Sequence, residues 1–100
     1  MSGQEYVVLF TAINGVDLGG DEARRLRDAV QAMPGVHPVG EVEVDAATRT
    51  LRAGFAIPVE QAMAEAARDG GRLAKEVLLS ARIPDARLVE LTVRMVDPAP

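Results

Sequence analysis

His37 is the single histidine of the chain, so any imidazole chemistry rests on it alone. A general base needs a nucleophile in reach and a third group to orient it. The serines are Ser2 and Ser80, and neither has the strand-to-helix setting of a nucleophile elbow. His37 is flanked by Pro34-Gly35 and Pro38 and is expected on a loop surface, with no catalytic role. Glu41 and Glu43 stand two apart; on one strand face they lie about 7 Å from each other, a spacing that also occurs between the carboxylates of inverting glycosidases. Arg52 is expected beside Glu43, which makes the pairing a cross-strand charge contact. Glu90 belongs to a strand at the opposite sheet edge, roughly 14 Å away at ordinary strand spacing, and supplies no second acid. Lys75 is the only lysine and falls on the solvent side of its helix, where its amine is not activated.

The stretch Asn14 to Glu22, NGVDLGGDE, is the most irregular of the chain. Glycines opening onto a helix N-terminus can cradle an anion with their backbone amides. Asn14, Gly15, Asp17, Gly19, Gly20, Asp21 and Glu22 are therefore the candidate ligand-binding residues. Their spacing fits neither a P-loop nor a dinucleotide fingerprint, and Asp17, Asp21 and Glu22 repel a phosphate. A hard cation is disfavoured by the absence of the EF-hand ligand spacing. Asp21 is expected as the helix N-cap, worth about 1 kcal/mol. Cysteine is absent, which removes disulfides, thiolate catalysis and Cys-ligated zinc, and with one isolated histidine no metal site or cofactor is expected.

Formal charge is −4 and the sequence pI about 4.9, with no basic run able to neutralise several phosphates. Arg24, Arg25 and Arg27 are interleaved with Asp21, Glu22 and Asp28 and read as a solvated helix face, so nucleic acid is not an expected partner. No apolar run approaches the ~18 residues of a membrane span, and Met1 to Glu5 lacks the basic start of a signal peptide. The expected location is the cytoplasm. At 100 residues, 48% hydrophobic and 26% charged, residues 1–100 form one domain able to bury its own core.

The elements that must carry these residues are read from periodicity. Tyr6 to Ile13 is a continuous apolar run, as a central strand requires. Ala23, Leu26, Val30 and Met33 repeat at helical spacing and stop at Pro34-Gly35. Val39 to Val44 alternates, and Leu51, Ala53, Phe55 and Ile57 resume the alternation after a turn, predicting a hairpin. If Val44 and Leu51 share the buried face, Glu43 stands opposite Arg52. Val59, Met63, Ala66, Gly70, Leu73 and Val77 form a second helical stripe, in which Gly70-Gly71 marks a kink or a close approach to the sheet. Val89, Leu91, Val93 and Met95 alternate in a last strand. The order strand, helix, strand, strand, helix, strand predicts an α+β ferredoxin-like βαββαβ sandwich. Its four-stranded antiparallel sheet carries both helices on one face, in spatial order fourth, first, third, second.

From Leu26 to Gly71 the chain resembles the heavy-metal-associated domains, small ferredoxin-like copper carriers. The likeness rests on a helix ending Met33-Pro34-Gly35-Val36, a strand VGEVEVD from Val39, a strand ending at Ile57, and a helix closing on glycine. That family binds metal through a CxxC pair ahead of the first helix. Counting back from Met33 places those positions on Gly19 and Glu22, so the resemblance implies the fold and not the metal.

These readings favour a non-catalytic interaction or regulatory module. It assembles with itself or a heterologous protein through a sheet face or edge, with Glu43, Arg52, Thr92 and Arg94 at the contact. The alternative is a small-molecule binder using residues 14–22 and the first helix N-terminus. A third class is an enzyme of the dimeric α+β barrel type.

Overall fold

The computed structural model describes residues 4–59 and 62–96; Ser2, and residues 60–61 through which the second helix was expected to run, lie outside them. Among the described residues the chain runs β1 (Glu5–Asn14), α1 (Glu22–Ala32), β2 (His37–Pro38), β3 (Glu43–Asp45), β4 (Thr50–Pro58), α2 (Met63–Ser80) and β5 (Ala86–Val96). All strand pairs are antiparallel, in the order β2-β4-β1-β5, with β3 also pairing β4. The molecule is α+β, with two helices on an open five-stranded sheet, and is compatible with a ferredoxin-like arrangement.

The count is five rather than the expected four because the second strand is broken. Pro38 offers no amide to continue a ladder, and Gly40 takes a positive φ of +68°, which turns the chain out of extended geometry. Val39 still donates to the Gly54 carbonyl at 3.1 Å, but the ladder resumes only at Glu43. The hairpin register agrees with the sequence reading: Val44 is opposite Leu51 and Glu43 opposite Arg52.

In β1 the even positions Tyr6, Val8, Phe10 and Ala12 turn toward the helices and join Leu51, Ala53, Phe55 and Ile57 of β4 in one core cluster. Phe10 and Phe55 meet with ring centroids 6.4 Å apart and tilted by 56°. Fully burying a side chain of this size contributes about 1.5–3 kcal/mol, so each of these two rings adds substantially to stability. Leu26, Ala29 and Val30 bring α1 onto it at i, i+3, i+4 spacing. The helix ends where Met33, preceding Pro34, goes extended.

Helix α2 runs unbroken through Gly70-Gly71. The glycine marks a close approach: a Cβ on Gly70 would sit 3.1 Å from Val8 Cγ2. Ala66, Gly70 and Ala74 form a buried small-residue face, with Gly70 against Val8 of β1, whereas Met63, expected in the stripe, is exposed at the helix start. The helix ends in a Schellman motif. Ile83 N–H donates to the Leu78 carbonyl and Arg82 N–H to that of Leu79, with Arg82 at φ +62°.

Strand β5 departs from the expected alternation at one point. Thr11 pairs with Glu90 but Ala12 with Leu88, so Val89 is an extra residue in a β-bulge. Leu88, not Val89, continues the helix-facing row of Leu91 and Val93, and Val89 is 50% exposed.

Candidate functional site

The loop of residues 15–21 is anchored at both ends. Asn14, the last residue of β1, donates its backbone N–H to the Arg49 carbonyl, and Gly15 donates to that of Asp85. The Asn14 side chain is buried and its Nδ2 donates to the Val16 carbonyl at 2.9 Å. The glycine amides that an anion cradle would need are already in use. Gly19 and Gly20 donate their N–H groups to the Glu22 carboxylate at 2.6 and 2.8 Å. The anion held by this glycine loop is a side chain of the protein itself.

Glu22 is 5% exposed, an unusual place for a carboxylate. Burial pushes its pKa up, but the bonds from Gly19 and Gly20, its own backbone N–H and Arg25 outweigh it, and the net shift is downward. Arg25 Nη2 lies 3.5 Å from Glu22 and 3.3 Å from Asp21, while Nη1 donates to the Arg82 carbonyl, tying α1 to the end of α2. Asp21 sits at the N-cap position but makes no capping bond; its exposed carboxylate pairs with Arg24 and Arg25. The expected side-chain cap is thus absent; Glu22, the first residue of α1, instead folds back and accepts from the loop amides ahead of the helix. Asp17 is exposed. Asn14, Asp17, Glu22, Arg25 and Arg82 border a cavity of about 140 Å³; Asn14 Oδ1 and Arg25 Nε are buried with no hydrogen-bond partner among the described residues. This volume is well below the roughly 300 Å³ at which ligand pockets begin.

The second candidate region is the sheet face turned away from the helices. The ladder sets Glu43, Arg52, Thr11 and Glu90 in one transverse row. Gly54, Leu9 and Thr92 form the next, and Ala56, Val7 and Arg94 the third. All four expected contact residues therefore share this face, Glu43 and Arg52 to one side of β1 and Thr92 and Arg94 to the other. Between them β1 exposes Leu9 (39%) and Ile13 (42%). Arg52 Nη1 is 3.8 Å from Glu43 Oε1 and both are exposed, so the pair adds at most about 1 kcal/mol. Thr11 Oγ1 donates to Glu90 Oε1 at 3.3 Å. Arg94 forms no ion pair among the described residues.

Leu9 is laid over Gly54: a Cβ there would fall 2.6 Å from Leu9 Cδ2 and 3.0 Å from the Val39 carbonyl. Leu9, Thr11, Gly54, Arg52 and Thr92 line a groove of about 370 Å³, whose wall includes Glu41, displaced from the expected strand into the break between β2 and β3. The stacking of Leu9 on Gly54 is not legible in the sequence. A glycine within an alternating strand was the available signal.

His37 lies in edge strand β2 rather than in a loop, with Nε2 2.9 Å from Glu5 Oε2. It remains exposed. Among the described residues no three His, Cys, Asp or Glu side chains converge as metal ligands, and no helix is long and apolar enough to cross a membrane. Comparison with known protein families, curated proteins and solved structures finds no match for the chain.

Proposed function

We propose that the chain is a non-catalytic module that assembles with a second copy of itself through the helix-free side of its sheet. The observation that carries this reading is the two exposed apolar side chains Leu9 and Ile13 on that face, with Thr11 between them and charges of both signs on either side. An interface core of apolar side chains with a polar rim is the common anatomy of protein contacts. The rim holds carboxylates (Glu43, Glu90) and guanidinium groups (Arg52, Arg94), so a two-fold axis can set unlike charges against each other without a second kind of chain. Chemistry is poorly served by the same surface: Glu43 is paired with Arg52, and His37 contacts Glu5 at the sheet edge.

Light scattering or sedimentation equilibrium over a hundredfold concentration range tests the proposal. The expected result is a concentration-dependent dimer, weakened by Arg52→Glu, which leaves the fold intact because Arg52 is exposed. A strict monomer at every concentration overturns it.

A further inference from the structure

The two edges of the sheet are built differently. One is closed off by β2 and β3, of two and three residues, interrupted by Pro38 and Gly40. Short broken strands and proline are the usual means of keeping an edge from pairing with another chain. The other edge is β5, eleven residues long, containing neither proline nor lysine. Its bulge at Val89 leaves Glu90–Val96 as a regular strand that, among the described residues, is paired on one side only, to β1.

The sequence of that free stretch is self-complementary when run against itself. A two-fold axis through Thr92 sets Glu90 opposite Arg94 twice, and Leu91 opposite Val93 twice. The faces agree with this register. Glu90, Thr92 and Arg94 pair with Thr11, Leu9 and Val7 on the open face. Leu91 and Val93 lie half-buried on the helix side. The same register sets Met95 beside the partner copy's bulge. Met95 is 44% exposed, and next to the bulge lies a mainly apolar groove of about 280 Å³ lined by Leu78, Leu79, Ile83 and Leu88, with Lys75 and Arg87 also in its wall. Exposed apolar groups at one end of the strand thus meet an apolar recess at the other, as an isologous contact requires.

We infer that β5 pairs with β5 of a second copy, antiparallel about Thr92, joining two sheets into one continuous ten-stranded sheet with all helices on one side. The backbone ladder supplies affinity, and the Glu90–Arg94 pairs fix the register. This contact is distinct from the face contact proposed above, and the two stand or fall separately.

The chain has no cysteine, so introduced thiols are unique. Leu91→Cys and Val93→Cys proteins, mixed and mildly oxidised, are expected to yield disulfide-linked heterodimers in excess of the homodimers from either alone. Both positions lie on the helix side, beyond the reach of a face-to-face dimer. In addition, Glu90→Arg is expected to weaken association about tenfold, and adding Arg94→Glu to restore it. A dimer by light scattering that forms no 91–93 disulfide and dissociates with Arg52→Glu overturns the edge contact while sustaining the face contact. A strict monomer overturns both.

Discussion

Glu22→Gln isolates what the buried carboxylate contributes. The amide is nearly the same size, so packing is kept, but its oxygen can accept from only one of the two N–H donors. Its NH₂ then faces the other. Gly19 and Gly20 approach Glu22 at 2.6 and 2.8 Å, and a hydrogen bond to a charged group contributes about 1.5–3 kcal/mol. With one bond lost and Arg25 deprived of its closest buried partner, the expected cost is about 2 kcal/mol at pH 7. That lowers the thermal midpoint by roughly 8–16 °C in a domain of this size. The pH dependence follows from the lowered pKa. A depressed folded-state value means that Glu22 adds stability above its ordinary value of 4.5, and this is lost as pH falls through the folded value. Wild-type and Glu22→Gln proteins are therefore expected to differ most at neutral pH and to converge in acid. Asp21→Ala, which removes the ion pairs of an exposed carboxylate, costs under about 0.5 kcal/mol. Urea melts at pH 7 and pH 3 measure all three. If Asp21→Ala proved the more costly change, or if the Glu22→Gln deficit were the same at both pH values, the account of the loop would be wrong.

The two adjacent glycines of α2 are expected to respond with opposite sign. Gly70→Ala drives a methyl to 3.1 Å from the stiff, buried Val8 and destabilises by about 1 kcal/mol net, overpacking exceeding the gain in helix propensity. Gly71→Ala meets nothing closer than Leu91 Cδ2 at 3.8 Å and stabilises by about 0.5–1 kcal/mol; thermal melts read both. Arg82→Gly relieves a left-handed backbone at φ +62° while keeping the carbonyl that Arg25 uses, and is expected to raise stability by about 0.5–1 kcal/mol in denaturant unfolding.

The features legible in the sequence are those that a single periodicity decides. The apolar run of β1 and the alternation of β4 needed no partner to be recognised, and matching Val44 to Leu51 carried Glu43 to Arg52. The missed features depend on a neighbour. In β5, Ala86 and Leu88 keep one alternation and Leu91 and Val93 the other; only the ladder to β1 shows that the phase changes at Val89. Asp21 and Glu22 are adjacent carboxylates at a helix start, and the choice between them turned on reach: the longer side chain reached the Gly19 and Gly20 amides. The break between β2 and β3 had its signal in Pro38 and Gly40, but Val42 and Val44 continued a strand-like pattern beyond it. Of the candidate loop, Asn14 and the glycines are where the reading placed them, with their donors turned inward.

The position of β1 has a consequence during synthesis. Glu5, near the start of this strand, stands opposite Pro58 on one side and Val96 on the other. A ribosome adds about 5–20 residues per second, so β1 leaves the exit tunnel several seconds before its last partner exists. Over that interval the α1 segment and the β3–β4 hairpin, whose contacts are local, are complete, while the most apolar run of the chain has a neighbour, β4, on one side only. Until Ala86 and its successors emerge, β1 is itself a bare edge, open to another nascent chain on the same message.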